Sequence, residues 1–301
     1  MVQVSTYDIV TGGDLTLLSS SLPSWRNKMK IIQIQSWNKF IEEIEQLNGI
    51  RNEYESKIPS TVSKFLYRGQ PDSKLRLNTT LERYVGDKIP LDKYFNFASL
   101  IKAKIESVTG KRWNIETYAE HKEWLNARIF PPFSRFPAHD YFAYLRHHGF
   151  PSPFLDWTRS PYIAAYFAMI STPKDGVKKV SIYAYLDRIG TKVWNVDGPV
   201  ILSLGPYVTT HKRHYLQQSD YTICIVKDNS SWVYFNHELA KSMNQVNRQD
   251  MLWRIDIPIS QRSEFLSKLE SMNINSFSLF ETEDKLMEHI YISEILLGKN
   301  L

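Results

Sequence analysis

The chain has 301 residues, 43% of them hydrophobic and 23% charged, enough apolar surface for a sizeable core and too much for wholesale disorder. A net charge of +5 and a pI near 9.0 permit attraction to nucleic acid or other anions without demanding it. No stretch approaches the roughly 20 apolar residues that cross a bilayer, and a single cysteine excludes an internal disulfide and a thiolate zinc site. The expectation is a cytoplasmic protein without a membrane partner.

Residues 1–30 are Ser/Thr-rich and weakly patterned, and read as a lead-in to a single domain over 31–298. Trp37, Phe40, Ile41, Ile44 and Leu47 then fall at helical spacing behind Ser36, an N-cap, and predict a helix of about three turns. Phe65-Leu66-Tyr67 reads as a short buried strand that runs into a turn at Arg68-Gly69-Gln70-Pro71. A helical insertion is expected over 91–148. Its first part extends to Pro131-Pro132, and its second runs through Tyr141, Phe142 and Leu145 to His148, with Gly149 as left-handed cap.

Leu155-Asp156-Trp157-Thr158-Arg159 reads as the link from that helix to the next, which has Ser160 as N-cap and Pro161 in its first turn. Strands are predicted at 180–186, 200–204, 220–226 and 252–257, and helices at 261–272 and 283–297. Cys224, inside the apolar run 221–226, reads as a small core thiol. Strands and helices mix without regular alternation, which predicts α+β and not a doubly wound sheet. Neither a GxGxxG nor a Walker loop is present.

Two stretches carry candidate chemistry. A guanidinium at Arg68, at the end of an apolar strand and before Gly69, suits a carboxylate or pyrophosphate; the alternative is a salt bridge at the core's edge. Asp156, between Leu155 and Trp157, reads as a partly buried carboxylate with Arg68 as a candidate partner, or else as part of a locally satisfied capping motif. Thr158 and Ser160 offer hydroxyls at a helix N-terminus, where anions are favoured. His147 and His148 diverge by about 100° on a helix and do not make a ligand pair. With no acidic cluster in view, no metal is expected. His211 and His214 have i,i+3 spacing in a predicted loop.

The run Phe65-Leu66-Tyr67-Arg68-Gly69-Gln70, followed by Leu75-Arg76-Leu77 and Leu81-Glu82-Arg83, resembles the opening of FRG domains. His147-His148-Gly149-Phe150-Pro151, Leu155-Asp156-Trp157-Thr158, Ser160-Pro161 and Ala165-Tyr166-Phe167-Ala168 resemble that family's most distinctive segment. Arg213, Gln217 and Tyr221-Thr222 resemble its later element. The likeness runs in order from about 33 to 290. Ser152-Pro153 stands where the family usually has Thr-Arg, so one pocket cation is either missing or supplied from elsewhere.

A second resemblance is to R-S-E ADP-ribosyltransferases, through the aromatic-Arg-Gly strand end and the hydroxyl-bearing turn before a Pro/Ala/Phe-Ala helix. It implies a mixed, largely antiparallel sheet core of ADP-ribosyltransferase-like type with an N-terminal helix and the helical insertion. It also implies NAD as substrate. Arg68, Thr158 and Asp220 are the implied catalytic residues, and Tyr67, Arg68, Gly69, Gln70, His148, Asp156, Thr158, Ser160, Tyr166 and Gln217 the implied NAD-binding ones. Gln218-Ser219-Asp220 offers Gln-x-Asp where those enzymes have Gln/Glu-x-Glu; Gln217 and Glu238 are the other candidates for that position. The acceptor is expected to be RNA or DNA, less so protein. The implied setting is a bacterial toxin or phage-defence effector with an inhibitory antitoxin-type partner. The alternative is a non-catalytic module that binds a nucleotide or peptide.

Overall fold

The computed structural model describes residues 29–59, 62–86, 88–126, 136–193, 198–205, 208, 212–243 and 248–298. The expected lead-in therefore lies almost wholly outside the described residues, as do the Pro131-Pro132 break and His211. An eight-stranded sheet is built from β1 (Lys30–Gln33), β2 (Phe65–Gln70), β3 (Leu155–Thr158), β4 (Lys179–Arg188), β5 (Val200–Ser203), β6 (Ser219–Asp228), β7 (Ser231–Tyr234) and β8 (Gln249–Pro258). The order is β1-β8-β4-β2-β3-β6-β5, with β7 on β6. Every pairing is antiparallel except that of β1 with β8. The mixed α+β class expected from the sequence is the class observed.

Strand alternation divides the core. Phe65 and Tyr67 of β2, with Ile182 and Ala184 of β4, face α1 (Trp37–Lys57), α6 (Pro161–Met169) and α9 (Arg262–Ser271). Leu66, Tyr183, Tyr185 and Trp157 point the other way, towards Leu77 and α8 (His237–Met243). Helices α2 (Thr80–Val85), α3 (Leu91–Thr109), α4 (Tyr118–Asn126) and α5 (His139–His147) form a third cluster. In it Phe95, Tyr141 and Phe142 pack with Tyr221, Ile223 and Ile225 of β6. The short α7 (Lys212–Leu216), α10 (Ser276–Phe280) and α11 (Glu283–Ile290) complete the helices, the last continuing as π-helix through Leu297.

Local signals mostly place the elements. Ser36 caps α1, accepting from the Lys39 amide at 3.3 Å, although the helix runs 21 residues and so well past three turns. Gly149 (φ 81°) closes α5 in a Schellman arrangement, with Phe150 N–H on the Leu145 carbonyl and Gly149 N–H on that of Arg146. The first stretch of the insertion is two helices, since Gly110 (φ 68°) ends α3 before α4 begins.

Two expectations are corrected. Arg68-Gly69-Gln70 continues β2, each residue paired to β4, because a ladder to a long neighbour outweighs local turn chemistry. Leu155–Thr158 is an inner strand between β2 and β6 and not a link.

Candidate anion-binding cavity

The cavity forms where the sheet parts. Strands β2 and β3 share one paired position, Tyr67 with Thr158. Beyond it, α6 packs hard against β2 at Gly69, where a Cβ would stand 2.1 Å from the Ala164 carbonyl oxygen. The Arg-Gly signature thus has a steric cause on its glycine side. Arg68 bridges the gap with its side chain, donating from Nη1 to the Asp156 carbonyl at 2.5 Å.

The space at this parting measures about 320 Å³. Four arginines line it: Arg68 from β2, Arg83 from α2, Arg146 from the last turn of α5 and Arg213 from α7. Phe167 and Phe280 supply aromatic surface, His147, Gln217 and Ser219 supply polar atoms, and Tyr67 and Trp157 border the space from the buried core. Asp156 is the sole carboxylate among the described lining residues. Its Oδ2 lies 3.6 Å from Arg146 Nη2.

Such a cluster is unfavourable without an anion. Burial, and then the neighbouring charge of Arg146, push the Arg68 guanidinium down to about 10; Asp156 acts in the opposite direction. Burial and Arg146 also lower Arg83. The Nε atoms of Arg68 and Arg146 are buried and meet no hydrogen-bond acceptor among the described residues. Donors left in this state in a concave, positively charged site are what a phosphate-bearing ligand satisfies.

Of the residues expected at the site, Tyr67, Arg68, Gly69, Gln70, Asp156, Thr158 and Gln217 line the cavity. Several have their polar groups engaged by the protein. Thr158 Oγ1 donates to the Gln217 carbonyl at 2.7 Å and accepts from the Ser160 amide at 3.2 Å. Gln70 Nε2 donates to the Arg76 carbonyl at 3.3 Å, and Gln217 Nε2 to that of Leu279 at 3.1 Å.

The other expected residues lie elsewhere. His148 is exposed and packs on Tyr144, and one helical step places His147 in the lining instead. Tyr166 is buried with its hydroxyl on Ser276 Oγ at 2.7 Å, while Phe167 faces the cavity. Ser160 acts as N-cap to α6, accepting from the Ile163 amide. Asp220 lies outside because Ser219 takes the cavity face of β6 and the next side chain points away. Its Oδ1 accepts from the Tyr221 amide at 2.9 Å, and burial raises it to about 6. Glu238 also lies outside, accepting from the Leu77 amide and the Tyr183 hydroxyl.

Reading the sequence missed Arg83, Arg146 and Phe280. Arg83 ends the quoted Leu81-Glu82-Arg83 run and Arg146 precedes the quoted His147-His148 run, and only the phase of α2 and α5 turns them inward. Ser152 is fully buried and its Oγ accepts from the Phe154 amide, so the cavity's cations come from other elements.

Residues 63–176 match the family model of the FRG domain. The chain carries an FRG domain. No curated protein and no solved structure gives a match to the chain. The matched FRG stretch supplies Arg68, Arg83, Arg146, His147 and Asp156, while Arg213, Gln217, Ser219 and Phe280 come from beyond it. A His147 Nε2···Tyr221 hydroxyl bond of 2.6 Å, with His214 Nδ1 at 3.2 Å from the same hydroxyl, ties the FRG stretch to β6. No group of three or more His, Cys, Asp or Glu placed to hold a metal occurs among the described residues. No helix there is long and apolar enough to cross a membrane.

Proposed function

We propose that the cavity binds NAD through its diphosphate and that the protein transfers ADP-ribose to an acceptor, RNA or DNA in the first place and protein otherwise. One observation carries this reading: four guanidiniums converge on a cavity with a single carboxylate among its described lining residues, and Arg68 and Arg146 hold buried Nε–H donors that meet no acceptor among the described residues. A diphosphate brings two charges and several acceptor oxygens to such donors. Phe167 and Phe280 offer flat surface for a nicotinamide or adenine ring. Cleavage of the nicotinamide glycosidic bond builds positive charge on the ribose, as in glycoside hydrolysis, so the site also needs a carboxylate. An unchecked transferase of this kind harms its host, which fits a cytoplasmic toxin or defence effector restrained by an antitoxin-type protein.

The second reading is a non-catalytic nucleotide- or peptide-binding module. The position of Asp220 outside the cavity favours it. Labelled NAD incubated with the pure protein and separate RNA, DNA and protein pools decides between them. Label transfer to one pool with nicotinamide release is the expected result. Saturable binding without turnover makes the module the correct reading, and absence of both overturns the NAD assignment.

A further inference from the structure

We infer that Asp156 is the catalytic carboxylate of the cavity, in the role that the ADP-ribosyltransferase resemblance implies for Asp220; this rests on the transfer reading above. Three observations converge on Asp156. It is the only carboxylate among the described lining residues. It is held from two sides, its carbonyl oxygen by Arg68 Nη1 and its side chain by the charge of Arg146. At 3.6 Å the Arg146 contact is longer than a hydrogen bond, and the Asp156 side chain keeps 25% of its exposure, so carboxylate oxygens remain for a ligand hydroxyl. Asp220 has neither property, being buried with Oδ1 on a backbone amide.

The geometry gives each partner a task. Asp156 sits two residues before Thr158 on β3, so the two side chains share one strand face, and both residues line the cavity. Arg68 positions the main chain of Asp156 while its buried Nε–H is left for the ligand. Arg146 is a positioning residue for the carboxylate. In the reaction the bond between the ribose anomeric carbon and the nicotinamide nitrogen breaks, and its electron pair leaves with neutral nicotinamide. The acceptor's nucleophilic atom bonds to the anomeric carbon, and its proton passes to Asp156. Before transfer, the same carboxylate stabilises the positive charge on the ribose.

The test uses the full chain and three variants, Asp156→Asn, Asp156→Glu and Asp220→Asn, with nicotinamide release and the Kd for ADP measured on each. Asp156→Asn is expected to lower nicotinamide release by roughly 100-fold or more, the range for loss of an acid–base group. Its Kd for ADP should stay within a few-fold of the parent. Asp220→Asn should keep release within a few-fold. If Asp156→Asn fails to fold, Asp156→Glu keeps the charge, and it should bind ADP normally while turnover falls at least ten-fold. Full release by whichever Asp156 variant folds, or loss of release in Asp220→Asn alone, overturns the assignment. A parent protein that binds ADP but releases no nicotinamide overturns the transfer reading itself, and so the two failures are distinct.

Discussion

A Cβ added to Gly69 would stand 2.1 Å from the Ala164 carbonyl oxygen and 2.5 Å from the Ala168 amide nitrogen. Both are backbone atoms of α6, which cannot swing aside as a side-chain tip can. Gly69→Ala is therefore expected to destabilise the fold by at least about 2 kcal/mol, in the upper range for overpacking. Denaturant unfolding measures this, and unchanged stability would show that α6 has freedom to move off β2.

Arg68 behaves in the opposite way. Its charged form is disfavoured in the folded protein by burial and by Arg146, so it contributes no stability through that charge at neutral pH. Arg68→Met removes that cost together with the Nη1 bond to the Asp156 carbonyl, so the two effects offset and the variant should melt close to the parent, yet lose ligand binding. A large fall in melting temperature would make Arg68 structural.

The arginine cluster predicts stabilisation by anions. Inorganic pyrophosphate at a hundred times its Kd should add about 2.7 kcal/mol by mass action, and orthophosphate at equal concentration should add less. Arg146→Met should weaken this response, as one buried Nε–H donor and one of the four charges are gone. Thermal melts with both anions check it, and equal shifts in parent and variant would place the anion elsewhere.

Asp220 offers a pH signature. Burial raises its carboxyl to about 6, so the folded protein holds that proton more tightly than the unfolded chain does. Ionised Asp220 is then a stability cost above about pH 6, and the cost disappears as pH falls towards 4. Asp220→Asn should gain about 1–3 kcal/mol at pH 7, and the gain should vanish by pH 4. Unfolding at both pH values measures the difference.

Two buried histidines act with the other sign. Burial lowers His121, which stacks on Phe95 at 3.9 Å, to about 4, and His237 to about 3. Below pH 6.5 the unfolded chain takes up protons that the folded protein refuses, so stability falls steadily with acid. His121→Phe keeps a stacking ring and removes one titration. Its stability should decline less between pH 6.5 and 4 than that of the parent.

The α+β class, most strand and helix positions, the caps at Ser36, Gly149 and Ser160, and the Arg-Gly and Asp-Trp-Thr stretches were all legible in the sequence. These depend on periodicity and on backbone groups within a few residues, which neighbouring side chains satisfy. Tertiary structure alone decided that Arg68–Gln70 and Leu155–Thr158 are strands, because the β4 and β6 ladders that fix them come from distant parts of the chain. It also decided the inward set. One step of helix phase exchanges His148 for His147 and Tyr166 for Phe167, and one step along β6 turns Asp220 away while Ser219 faces in. A motif names the neighbourhood of a site; the packing of α5, α6 and β6 around the parting of β2 and β3 selects the side chains that enter it.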